Sequence, residues 1–245
     1  APDLLEWRRS DTPIPMLRNR AIEVAKIEHV DFLVMIDNDM KPDAYLESNP
    51  QRLATDKAAV PFWDEAFNFL YEHHFAIGPA VIAVPYCGPP PHENVYVFRW
   101  ATLESGHPGS DMRLEQYTRE EAATRRGIEE VAALPTGLII FDVSGFKKLS
   151  PGYSYYEWSD DFEQEKASTD DVTVTRDLSL AGVPVYVAWN CWAGHWKRKC
   201  VGRPLLLTSD QINEKYKRVI LRDAAMAESS PTVTKLVNIE SSRRW

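Results

Sequence analysis

The nine residues Asp31-Phe32-Leu33-Val34-Met35-Ile36-Asp37-Asn38-Asp39 constrain this chain more than any other stretch. A continuous apolar run rich in β-branched residues, with no turn former inside it, predicts a buried strand. It ends abruptly in two carboxylates. Side chains alternate along a strand, so Asp37 and Asp39 are expected on one side and Asn38 on the other. In open α/β sheets, ligands collect beyond the carboxyl ends of strands. Two acids there can hold a hard divalent cation, which can in turn hold a diphosphate. The plainer reading is a strand running into an acidic, solvated turn.

The surroundings of that run set the fold class. Apolar residues at helical spacing (Leu17, Ala21, Val24, Ala25) predict a helix from Leu17 to Lys26 just ahead of it, after a loop-like stretch over residues 1–17. Residues 62–74 predict a second helix, with Phe62, Ala66, Phe69, Leu70 and His73 on one stripe. His73 and His74 are adjacent, so on a helix they point in different directions, which favours packing over shared ligation. Short strands are expected at Ala80–Tyr86, Val95–Trp100, Leu138–Asp142 and Val183–Ala188, with a surface loop over 104–118 and a charged helix from Arg119 to Val131. Gly137, before the third of these strands, permits close approach of a substrate or another backbone. A short helix over Val143–Leu149 follows. The aromatic run Tyr153–Trp158 suits either stacking of a sugar or acceptor or ordinary strand packing. Ser168-Thr169-Asp170-Asp171 reads as the capped, acidic start of a helix that stops at Gly182. Trp189–Lys199 reads as a loop that carries His195. Helices alternating with strands predict an α/β protein with a largely parallel sheet. A further helix, Ser209–Met226, carries Ile212, Tyr216, Val219 and Ile220 on a stripe ahead of a polar tail.

Composition excludes some classes of partner. The chain of 245 residues has a formal net charge of −8, so no broad positive field exists to draw in nucleic acid or an anionic membrane. Its three cysteines, Cys87, Cys191 and Cys200, are scattered and odd in number, which fits a reducing compartment better than a disulfide framework. Its apolar runs are too short to span a bilayer. The expectation is a cytoplasmic enzyme with no membrane span.

Arg18-Asn19, a helix, a strand ending Asp37-Asn38-Asp39, Pro135-Thr136-Gly137 before another strand, Thr169-Asp170-Asp171 opening a helix that ends at Ala181-Gly182, and then His195 follow one another in a distinctive order. This order resembles that of the GT-A nucleotide-diphospho-sugar glycosyltransferases, over roughly residues 16–199. The resemblance implies a Rossmann-like, open, mostly parallel mixed sheet with helices on both faces. It implies a catalytic domain over residues 1–205, with residues 206–245 as a C-terminal helix and tail. The family usually has a further strand ahead of the helix that bears Arg18; here 17 loop-like residues stand there, so the expectation is a stretch missing ahead of residue 1, the alternative a base pocket built differently.

The implied roles fall on particular residues. Asp39 would bind Mn²⁺ or Mg²⁺ directly, Asp37 would contact the metal or the donor's ribose, and His195 would complete the protein ligands. An imidazole ligand tilts the choice toward Mn²⁺. Asp171 would be the catalytic base of an inverting transfer, with Asp170 beside it where the family usually has Glu. Arg18, Asn19, Gly137, Lys197 and Lys199 would line the donor, the two lysines with Arg198 supporting its phosphates. His195 could equally be structural, and the basic loop simply solvated. The partners implied are a nucleotide-diphosphate sugar and an acceptor that is a glycan, protein, lipid or metabolite, or even a modified DNA base. Two other readings use the same residues: a metal-dependent nucleotidyltransferase or phosphohydrolase, and a non-catalytic nucleotide-sugar-binding module.

Overall fold

The computed structural model describes residues 14–89, 93–102, 112–153, 170–196 and 200–201. Helix α1 (Ile14–Ile27) begins earlier than its apolar spacing suggests, because Pro15 sits in the first turn, where a missing N–H costs nothing. Its buried face is Arg18, Ile22 and Ala25. The buried stripe is therefore not the apolar one of Leu17, Ala21, Val24 and Ala25, since the innermost side chain of the first turns is an arginine.

Strand β1 (Phe32–Ile36) follows, then the short β2 (Met40–Lys41), helix α2 (Phe62–Ala76) and β3 (Val81–Ala83). Asp43 accepts the amide of Phe62 at 2.8 Å and so caps α2 from a distant turn. The buried face of α2 is Phe62, Ala66, Leu70 and His73, close to the expected stripe. Both histidines have structural partners. His73 bonds the Gly78 carbonyl and the Tyr186 hydroxyl, and His74 lies 2.6 Å from the buried carboxylate of Asp142.

Two expectations fail in the middle of the chain. Part of the stretch read as a surface loop is strand β5 (Met112–Gln116), which pairs antiparallel with β4 (Phe98–Thr102). The charged helix expected over Arg119–Val131 is split into α3 (Arg119–Thr124) and strand β6 (Ile128–Val131). A capping box between Thr118 and Glu121 starts α3, and Gly127 at φ +74° turns the chain out of it. Glu129 of β6 is held rather than solvated, accepting the indole N–H of Trp189 at 2.7 Å, while Glu130 points to solvent.

Strand β7 (Leu138–Asp142) runs into a 3₁₀ turn (Val143–Lys148), which Asp142 caps through the Ser144 amide. Helix α4 (Asp170–Leu180) ends at Gly182, whose φ of +79° is the expected left-handed stop. Strand β8 (Val185–Ala188) leads to β9 (Gly194–Trp196), and Cys200–Val201 forms β10. The stretch around His195 is thus paired strand rather than loop.

The main sheet has five strands in the order β1-β7-β3-β8-β6, and β10-β9-β2 forms a second, three-stranded sheet. β1, β3 and β8 run one way, and β7 and β6 run against them; among the described residues the only directly parallel neighbours of the main sheet are β3 and β8. This is an open, mixed α/β sheet with helices on both faces. α1 and α4 lie on one side, around Met35, Ile139, Phe141, Val81 and Val185; α2 lies on the other, over Ile140, Leu138, Ile82 and Val84. Among the described residues no helix is long and apolar enough to cross a membrane. The tail from residue 206, with its expected helix, lies outside the described residues.

Candidate active site

The acidic run does not continue β1. The strand stops at Ile36, and the Met40 amide bonds back to the Asp37 carbonyl at 3.0 Å, so Asn38 and Asp39 are the middle of a turn. The two acids leave that turn in different directions, contrary to the alternation expected of a strand. Asp37 stays beside β7, its amide bonded to the Gly137 carbonyl at 2.8 Å. Asp39 is carried toward the second sheet, where Met40 of β2 is in register with His195 of β9 and the Trp196 amide bonds the Asp39 carbonyl at 2.6 Å.

This pairing sets His195 Nε2 3.3 Å from Asp39 Oδ2. The other ring nitrogen lies 2.8 Å from the Cys87 carbonyl, which can only accept, so Nδ1 carries a proton. That bond fixes the ring's orientation and leaves Nε2 pointing at the carboxylate. The ring itself is buried and meets Tyr86 edge-to-face at 5.2 Å.

Beside this pair, Arg18 joins two acids that are far apart in sequence. Its Nη2 reaches both oxygens of Asp37 at 3.0 and 3.1 Å, and its Nη1 bonds Asp171 Oδ1. The guanidinium is 7% exposed, while the two carboxylates are about two-fifths exposed (41% and 42%), so the cation sits beneath them and they face solvent. Thr136, fully buried, donates to the same Asp171 oxygen at 3.4 Å. Oδ2 of Asp171 receives no hydrogen bond from a described residue. Burial pushes the Asp37 carboxyl above its ordinary range, against the lowering effect of Arg18, and the negative charges of Asp171 and Asp39 push the same way as burial.

Tyr86 is the member of this cluster that the sequence reading missed. A Cβ built on Gly137 would lie 2.7 Å from both the ring carbon and the hydroxyl oxygen of Tyr86. The body that approaches Gly137 is therefore this phenol. Burial, followed by the charges of Asp171 and Asp37, holds the phenol well above its usual range, so it stays neutral. At the end of an apolar strand and before a Gly-Pro loop, Tyr86 reads as core; only the pairing of β3 with β7 brings it under Gly137.

The remaining expected residues divide in two groups. Asp170 opens α4 next to Asp171, and Asn19 is half-buried beside Arg18 on α1. Lys197 and Lys199, with Arg198, lie outside the described residues, as do residues 154–158 of the aromatic run. Both oxygens of Asp37 are engaged by Arg18, and among the described residues no three His, Cys, Asp or Glu side chains are grouped to hold a metal ion. Asp39 and His195 remain as a two-residue donor set.

No family model and no curated protein matches this chain. Among solved structures it is similar to A197 from STIV, at 15% identity over 82% of this chain and 80% of that one, with a TM-score of 0.43. A likeness that loose decides nothing about activity.

Proposed function

We infer that the chain is a metal-assisted glycosyltransferase, moving a sugar from a nucleoside-diphosphate donor to an acceptor hydroxyl. The observation that carries this reading is the meeting of Asp39 with a His195 whose far nitrogen is already bonded to a carbonyl. A histidine held that way presents Nε2 to a cation, and such carbonyl-oriented imidazoles are the usual arrangement around bound metals. One imidazole and one carboxylate suit Mn²⁺ or Mg²⁺, with donor phosphates and water as the remaining ligands. Bound there, the ion would supply Lewis-acid stabilisation of the departing diphosphate.

The protein's own residues account for the rest of the transfer. The acceptor oxygen bonds to the anomeric carbon as the bond from that carbon to the β-phosphate oxygen breaks, and the bonding pair leaves with the nucleoside diphosphate. Asp171, whose side chain is 42% exposed, takes the acceptor's proton. Arg18 and Thr136 hold its other oxygen, fixing the carboxylate's orientation. The order of the motifs supports the same reading. So does the position of Asp37, Asp39, Asp171 and His195 around one end of β1 and β7.

The test is a screen of nucleotide sugars with Mn²⁺ and mixed acceptors, followed by release of nucleoside diphosphate. Release that requires an acceptor supports the reading. Release of phosphate or nucleotide with no acceptor would favour a phosphohydrolase, and binding with no turnover of any donor would favour a binding module.

A further inference from the structure

The two faces of the main sheet are covered unequally. On one side α1 lies on β1 and α4 on β8. On the other, α2 packs over β3, β7 and β8, and β1 lies toward its flank. Leu33 and Met35 of β1 pack into the α1-side cluster, whereas Phe32 joins the α2 side. Val34 and Ile36 share the parity of Phe32 and are 37% and 49% exposed. Phe67 of α2, 37% exposed, meets Phe32 edge-to-face at 6.1 Å, and Tyr71, one turn on, is 61% exposed. Together these residues make an apolar shelf between the flank of α2 and the outer strand, the kind of contiguous patch that marks a contact surface.

We propose that this shelf is the docking place of the chain's own segment 209–226. The path of the backbone argues for it. Val201 is in register with His195, and His195 with Met40. The described chain therefore stops about two strand spacings, roughly 10 Å, from Met40, which follows Ile36 by one turn. Residues 202–208 can bridge about 25 Å when extended, enough to bring Ser209 to the shelf.

The chemistry of the segment fits as well. Ile212, Tyr216, Val219 and Ile220 recur at helical spacing, and Lys215, Arg218 and Arg222 follow one border of that stripe. α2 carries Asp64, Glu65 and Glu72 and has no lysine or arginine. The segment thus offers an apolar stripe and, along one border, basic residues that can meet Asp64, the acid of α2 one turn from Phe67.

Limited trypsin digestion of the full chain tests this, because Lys215, Lys217, Arg218 and Arg222 are cleavage sites within the segment. In the unaltered protein these sites resist cleavage. Ile212→Asp with Val219→Asp speeds cleavage about ten-fold or more and raises binding of an apolar dye, with circular dichroism showing the body still folded. Val34→Glu with Ile36→Glu gives the same acceleration, with circular dichroism showing the body still folded. Rapid cleavage of the unaltered protein overturns the proposal, as does acceleration by the tail variants alone when the shelf variants remain folded. A dimer in sedimentation that Val34→Glu dissociates would assign the shelf to a second copy. Dye binding raised by Leu4→Asp with Leu5→Asp, and not by the tail variants, would assign it to the amino-terminal segment. Either result overturns the proposal too.

Discussion

His195 faces Asp39 with only 3.3 Å between Nε2 and Oδ2, because β9 and β2 are paired in a register that sets His195 against Met40. The site therefore depends on a small three-stranded sheet as much as on the main one. Its two halves are the imidazole–carboxylate pair and the arginine that joins Asp37 to Asp171.

Loss of the first half should uncouple metal from donor. In thermal-shift measurements, Mn²⁺ and a nucleotide sugar together should stabilise the unaltered protein more than either alone. Asp39→Ala and His195→Ala should each abolish that synergy. Donor stabilisation that persisted unchanged in Asp39→Ala would remove this residue from the metal site.

Asp171→Asn should separate binding from chemistry. The amide keeps the side chain's size and still accepts from Arg18 through its oxygen. Donor affinity should stay within about two-fold, while transfer falls by about 10²–10⁴-fold, the usual contribution of a positioned proton acceptor. Single-turnover measurement of nucleoside diphosphate release reads the loss, and a variant as active as its parent would exclude Asp171 as the base.

Arg18→Met should cost stability in a pH-dependent way. Breaking a buried pair costs about 3–5 kcal/mol, and two-fifths exposure of the partner carboxylates reduces this to about 2 kcal/mol near neutral pH. The Asp37 carboxyl already titrates above its unfolded value. Through that window the native state holds more protons than the unfolded one, so stability attributable to Asp37 falls as pH rises. Removing Arg18 raises this carboxyl further and widens the window upward. Urea denaturation should therefore show a gap between variant and parent that grows from about pH 4 to about pH 7; a gap constant across that range would mean that Arg18 acts through packing alone.

Gly137→Ala should destabilise by about 1–3 kcal/mol, since the new methyl would overlap the Tyr86 ring. Tyr86→Phe should not relieve the clash, because the ring carbon is as close as the oxygen. Tyr86→Leu should relieve it in part. A double-mutant cycle on these two positions should give a coupling energy above about 1 kcal/mol, and additive losses would contradict the contact.

The sequence made some of this legible and hid the rest for identifiable reasons. β1, β7, β8 and α2 are strongly apolar and local, so their periodicity is enough to find them. β6 was hidden because Glu129 and Glu130 mimic a solvated helix, and it became a strand only through pairing with β8 and the indole of Trp189. The nearness of Asp37, Asp39, Asp171 and His195 was anticipated from the order of motifs, although the way it arises was not. Strand alternation was expected to align the two acids; a turn instead sends them to different partners. Nothing local in the sequence marks Arg18 as a buried link or Tyr86 as the floor under Gly137. Both facts depend on contacts between segments far apart in the chain.

The β1–β7 pair is anchored at both ends, with Phe32 opposite the capping Asp142 and Asp37 tied to Gly137. A frame shift of one position within β1 would exchange its two faces, sending Val34 inward and Met35 outward while dragging the acids off their partners. Insertions and deletions in this protein should accordingly be tolerated in the connections and rejected inside this strand, which acts as the ruler against which the whole cluster is spaced.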